Sequence, residues 1–215
     1  ANPASGRIFK KYGVDFCCGG NRKLHAVIDE MGLDEAAICD ELAAAKQDKA
    51  DGLTDFNFAV LEPLALSDYI NDRHHGYLRK TLPHISDLLL TIIRVHGVNH
   101  PELYELYKLY GSLRTELEQH LLKEETMLFP AFESETDKQD EIRRLASVII
   151  QEHEAAGEIL AGIREVTEDF TLPEDACTSF GMAYSLLEEL EDDLHQHIHL
   201  ENNILLKEYD ERSNN

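Results

Sequence analysis

Four apolar stripes constrain this chain more than any other feature. From about residue 63, hydrophobic residues recur in alternating steps of three and four. The first stripe reads Leu78, Leu82, Ile85, Leu89, Ile92, and the second Leu103, Leu106, Tyr110, Leu113, Leu117, then Leu128. The third reads Ile142, Ala146, Ile149, Ala156, Leu160, Ile163, and the fourth Ala183, Leu187, Leu190, Leu194, Ile204. That is the period of a helix with one buried face. Breaks fall at Gly97–Pro101, Phe129–Lys138 and Phe170–Pro173. Four such helices with short connections predict an all-α fold built on an antiparallel four-helix bundle. Pro83 lies inside the first segment and lacks a backbone donor, which predicts a kink or break near His75–Arg79.

The chain ahead of the stripes is different. Cys17-Cys18-Gly19-Gly20 reads as a turn, followed by short helical patterns over 21–31 and 34–46. Asp51, Gly52 and Asp55 mark a linker. The expected organisation is a small helical domain over 1–48, a linker over 49–62 and the bundle over 63–215.

Ionisable residues fill the gaps in the stripes. Continuing from Leu117 gives His120 and Glu124, and continuing from Leu194 gives His197 and Glu201. His153 sits between Ile149 and Ala156, and His75 three residues before Leu78. Burying an unpaired carboxylate costs several kcal/mol, a large share of a domain's net stability of about 5–15 kcal/mol. No lysine or arginine on the stripes offsets two of them, whereas a pair of metal cations would. His and Glu four apart share one helical face, so both reach one site. Carboxylates with imidazoles inside a four-helix bundle match the non-haem di-iron pattern.

The pattern repeats. His75 to His120 is 45 residues and His153 to His197 is 44. His120-Leu-Leu-Lys-Glu124-Glu-Thr-Met-Leu is echoed by His197-Ile-His-Leu-Glu201-Asn-Asn-Ile-Leu. Two matched halves would give each of two irons two histidines, with Glu124 and Glu201 bridging. Manganese or a mixed pair stays open, because this donor set does not select iron uniquely. The remaining histidines, His25, His74, His84, His96, His100, His195 and His199, read as surface or capping residues.

With 20 basic and 42 acidic residues the net charge is −22, which repels nucleic acid and anionic membranes. No apolar run has membrane-spanning length and no secretory signal opens the chain, so a cytoplasmic location is expected. Four cysteines read as reduced thiols, with Cys39 and Cys177 as small core residues.

The helical half resembles a haemerythrin-like di-iron domain. The front half, Phe9-Lys-Lys-Tyr12-Gly-Val-Asp15-Phe16-Cys17-Cys18-Gly19-Gly20, resembles the short N-terminal domain of the RIC proteins (repair of iron centres, the YtfE/ScdA/DnrN type). The match continues in Glu152-His153-Glu-Ala-Ala-Gly157-Glu158 and Leu200-Glu201-Asn202-Asn203. The resemblance implies iron ligands His75, His120, Glu124, His153, His197 and Glu201, the set the stripes give. It also implies a role for the thiols of Cys17 and Cys18, and damaged iron–sulfur proteins as partners. The implied function is repair of clusters damaged by nitric oxide or oxidants, by iron donation. Alternatives are a nitric oxide reductase or scavenger, and an oxygen or redox sensor.

Four histidines and two carboxylates leave positions on iron for nitric oxide, oxygen, or an oxo or hydroxo bridge. Acid should release the metal. Glu152 is either an acceptor behind a ligand, a gate, or a solvated residue. Lys10, Lys11 and Arg22 are expected to favour a Cys17 or Cys18 thiolate. A homodimer is compatible with the sequence.

Overall fold

The helix boundaries follow the local stop and start signals. The computed structural model describes residues 3–17, 22–47, 57–133 and 138–210. Helices α1 (Pro3–Lys11), α2 (Leu24–Met31) and α3 (Glu35–Gln47) form the front part. Gly32, at φ 64°, ends α2 in the left-handed conformation that glycine adopts without strain. The Asp34 side chain accepts from the Ala37 N–H at 3.2 Å and caps the start of α3. Cys18, Gly19, Gly20 and residues 49–56 of the expected linker lie outside the described residues.

The rest comprises α4 (Pro63–Ile70), α5 (Gly76–His96), α6 (Glu102–Lys123), α7 (Phe129–Phe132), α8 (Gln139–Val166) and α9 (Thr178–Leu200). There is no strand among the described residues. Pro63 opens α4 at a position where its missing donor costs nothing. Glu102 and Glu105 open α6, and Asp140 and Glu141 open α8, complementing the helix dipoles. Short connections turn the long helices back on one another. Helix α5 packs on α6 and α9, and α6 packs on α8.

Every stripe residue is buried except Ile204, which is half-buried beside a buried Leu205. Each fully buried side chain of this size contributes about 1.5–3 kcal/mol. The shift from Ile204 to Leu205 has a backbone cause. Residues Glu201–Leu205 form a π-helical turn, and its wider winding carries the inward face one residue further along. Two more π turns occur, at Asn71–His75 and Glu124–Leu128.

The break expected from Pro83 near His75–Arg79 does not occur within α5. Helix α5 runs through Pro83 unbroken. Pro83 and Arg79 are both exposed, so the Arg79 carbonyl that loses its partner faces water. The irregularity lies earlier, in the π turn ending at His75.

The core is split. One apolar cluster contains Leu78, Leu117, Leu121, Ala156 and Leu194, and the other Ile70, Leu128, Ile150, Leu200 and Leu205. On each helix the predicted polar residues fall between members of the two clusters. They therefore form a polar layer across an otherwise apolar bundle.

The front part docks on α9. Lys10 Nζ pairs with Glu191 at 3.0 Å and also with Asp192. The Phe16 ring lies against His195 and His199, and Asn203 Nδ2 donates to the Cys17 carbonyl at 3.1 Å. A cavity of about 370 Å³ remains between the two parts, lined in part by Phe9, Phe16, Arg73, His195 and His199.

Candidate metal centre

Six residues meet in the polar layer. His75 comes from the junction of α4 and α5, His120 and Glu124 from the end of α6, His153 from α8, and His197 and Glu201 from the end of α9. All six are buried, with Glu124 and Glu201 at 0% exposure. His75 Nε2 and His120 Nε2 each lie 3.3 Å from Glu124 Oε2. His153 Nε2 lies 3.0 Å from Glu201 Oε2, and His197 Nε2 3.2 Å from Glu201 Oε1. Their donor atoms fall into two groups that could each hold a metal ion: His75, His197, Glu124 and Glu201, and His120, His153, Glu124 and Glu201. Both carboxylates belong to both groups. Each π turn begins or ends at one of these residues, re-aiming the helix where the donors converge.

Proton placement tests whether cations fit. His75 Nδ1 faces Glu125 Oε1 at 2.7 Å, and His120 Nδ1 faces Glu152 Oε2 at 3.0 Å. A carboxylate only accepts, so each Nδ1 carries the proton and each Nε2 presents a lone pair. His153 Nδ1 likewise meets Asn202 Oδ1 at 2.8 Å. The Nε2 atoms of His120 and His153 then face one another at 3.2 Å. Lone pairs thus point at lone pairs and at carboxylates. His75 Nε2, both Glu124 oxygens and both Glu201 oxygens have no hydrogen-bond partner among the described residues. A buried donor set of this kind repels itself and is relieved by cations, so the residues fit a metal centre.

For His75, His120 and Glu124 the titration behaviour agrees, whereas Glu201 is held down by attraction to its imidazole neighbours. Burial, reinforced by the neighbouring His197, holds His75 down at about 4. Burial also holds His120 at about 4, against the pull of Glu152. Burial and the charge of Glu201 push Glu124 well up. Burial would push Glu201 up as well, but His197 and His153 outweigh it and hold it well down. Burial raises Glu152 less than His120 and Lys123 lower it, leaving it at about 2. Of the readings open for Glu152, the geometry matches an acceptor behind a ligand-type imidazole. A cavity of about 20 Å³ opens beside His120, Glu152, His153 and His197, room for one water-sized molecule.

Comparison with known proteins gives the same picture. A family model described as the hemerythrin HHE cation binding domain matches residues 68–209. A domain of unknown function (DUF542) matches residues 1–46. The iron-sulfur cluster repair protein ScdA of Staphylococcus haemolyticus is 31% identical over 209 residues, covering 96% of this chain and 93% of its own length. This chain belongs to the ScdA/YtfE family. The iron-sulfur cluster repair proteins YtfE of an Enterobacter species and of Escherichia coli O81 are each 36% identical over 203 residues, spanning 94% of this chain and 90% of theirs.

Several side chains depart from the sequence reading. His74 and His96 are buried, and His100, His195 and His199 are half-buried, so five of seven histidines read as surface or capping groups are not exposed. His74 stacks on His197 with centroids 5.5 Å apart and its Nδ1 lies 3.1 Å from Asp193. Cys39 and Cys177 are exposed rather than core residues. Next to Cys39, Ile38 takes the inward position. Lys10, Lys11 and Arg22 pair with the carboxylates of Glu191, Glu41 and Glu30, and Cys18 lies outside the described residues. The Cys17 thiol is buried and donates to Asp15 Oδ1 at 3.2 Å. Glu125 and Asn202 were missed as supporting residues. The echoed blocks carried the signal, since each stands one residue after its Glu.

Proposed function

We propose that this chain is a cytoplasmic protein that repairs damaged iron–sulfur clusters. Its centre takes two irons, one at His75 and His197 and one at His120 and His153, with Glu124 and Glu201 shared between them. The observation that carries this is the pair of donor groups with two carboxylates in common, sealed in an apolar bundle. The relatives named as iron-sulfur cluster repair proteins support the cellular role. The division into 1–48 and 63–215 is part of the proposal.

Bound iron supplies redox and Lewis-acid chemistry and is the cargo that a damaged cluster needs. The chain's own groups set how firmly it is held. Glu125, Glu152 and Asn202 accept the Nδ1 protons, which fixes the imidazoles with Nε2 inward. Lys123 steadies Glu152, and Arg79 steadies Glu125. The small cavity beside His120 suits a diatomic ligand such as nitric oxide or oxygen. Cys17, held by Asn203 two residues after Glu201, is suited to pass iron or electrons outward together with Cys18.

The test is stoichiometric reactivation of a nitrosylated aconitase by the iron-loaded chain. Reactivation is expected, and the double variant Cys17→Ser/Cys18→Ser should lose it while keeping its iron. Catalytic nitrous oxide formation without reactivation would point instead to nitric oxide reduction. Normal repair by the double variant would remove the thiols from the mechanism.

A further inference from the structure

The far end of α5 carries a second convergence of donors. His96 lies 21 residues beyond His75, roughly 30 Å along the helix at about 1.5 Å per residue. The backbone N–H of His100 donates to the His96 carbonyl at 2.8 Å, so the chain keeps a helical turn past the end of α5. Residues four apart then share one side. Both rings pack edge-on against Phe180, with centroids 5.4 and 5.7 Å away.

A carboxylate reaches this pair from another segment. Asp175 lies in the turn closed by the Ala176 N–H on the Pro173 carbonyl at 3.0 Å. His100 Nε2 is 2.9 Å from Asp175 Oδ1, and His96 Nδ1 is 3.9 Å from Asp175 Oδ2. One donor atom from each of the three lies within 4.8 Å of the others. Behind His100, Glu102 Oε1 sits 2.8 Å from Nδ1, the carboxylate support common behind metal-binding imidazoles. His96 is buried and its Nε2 has no hydrogen-bond partner among the described residues.

With Nδ1–H directed to Glu102, a neutral His100 aims its Nε2 lone pair at a carboxylate. A proton or a metal ion must stand between them. Two imidazoles and one carboxylate, with Asp175 half open to water, leave free positions on a bound ion, a donor set suited to first-row divalent metals.

We propose that His96, His100 and Asp175 form a second, solvent-open site for one divalent transition-metal ion, separate from the Glu124–Glu201 layer. It does not rest on the repair function. It also does not depend on which metal the buried layer holds.

The test titrates the purified full chain, with its own metal retained, with Co2+, followed by visible absorption. Retained metal is counted by mass spectrometry. The wild type should bind one further Co2+ with ligand-field bands. Asp175→Asn and His100→Gln should each weaken that step at least tenfold and leave the retained metal unchanged. Asp175 is exposed on a connection, so its variant keeps the fold and decides the question alone. Absence of the extra equivalent, or equal isotherms for wild type and both variants, would leave only an ion pair and overturn the site.

Discussion

In the first half of the bundle the residue after Glu124 is Glu125, which holds His75. In the second half the residue after Glu201 is Asn202, which holds His153. The geometry repeats and the charge does not. Glu125 is an anion steadied by Arg79, and Glu152, behind His120, is an anion steadied by Lys123. Asn202 is neutral, and His197 Nδ1 has no acceptor among the described residues, only the stacked ring of His74. A carboxylate behind an imidazole strengthens it as a ligand more than an amide does. Donor position is therefore held constant between the halves, while donor strength differs.

The shared carboxylates give the largest expected effect. Glu124→Gln or Glu201→Gln removes a donor from both groups at once, so each should lose nearly all metal, measured as metal per chain. Loss of a single ion would mean that the carboxylate serves one half only.

Acid should act next. In chelator-treated protein, His75 and His120 take up protons near 4, whereas an unfolded chain does so near 6.5. The unfolded state binds more protons between those values, so stability falls as pH drops from about 6.5 to about 4. The loss should reach about 3 kcal/mol per histidine, read from urea midpoints at several pH values. A flat profile would show that both imidazoles are already charged in the fold.

Exchange of the supports is the finest test. Glu125→Gln should weaken metal binding about 10–100-fold. Asn202→Asp gives the second half the support of the first and should tighten binding by less than tenfold. Both effects are read from competition with a chelator. Weakening in Asn202→Asp would show that the amide, not the missing charge, is what His153 requires.

Much of this was legible in the residues. The stripes predicted the buried face of all four long helices because helical period and burial are one geometric fact. The six polar gaps converge because they occupy that same face. The π turns were not legible, since no residue type encodes them. That is why Ile204 was expected where Leu205 is buried, although the echo already aligned Leu205 with Leu128. His74 escaped for the same reason, lying inside a π turn. The partners of Lys10 and the seat of Phe16 depend on contacts more than 170 residues apart in sequence, which local pattern does not reveal.

Each π turn is a helix carrying one residue more than regular winding needs. Inserting one further residue within Glu124–Leu128 exceeds what the wider turn absorbs and would rotate everything beyond by about 100°. Leu128 and Phe129 would leave the lower core together. Related chains should therefore vary freely in length at the exposed connections, yet tolerate no further insertion at these three places.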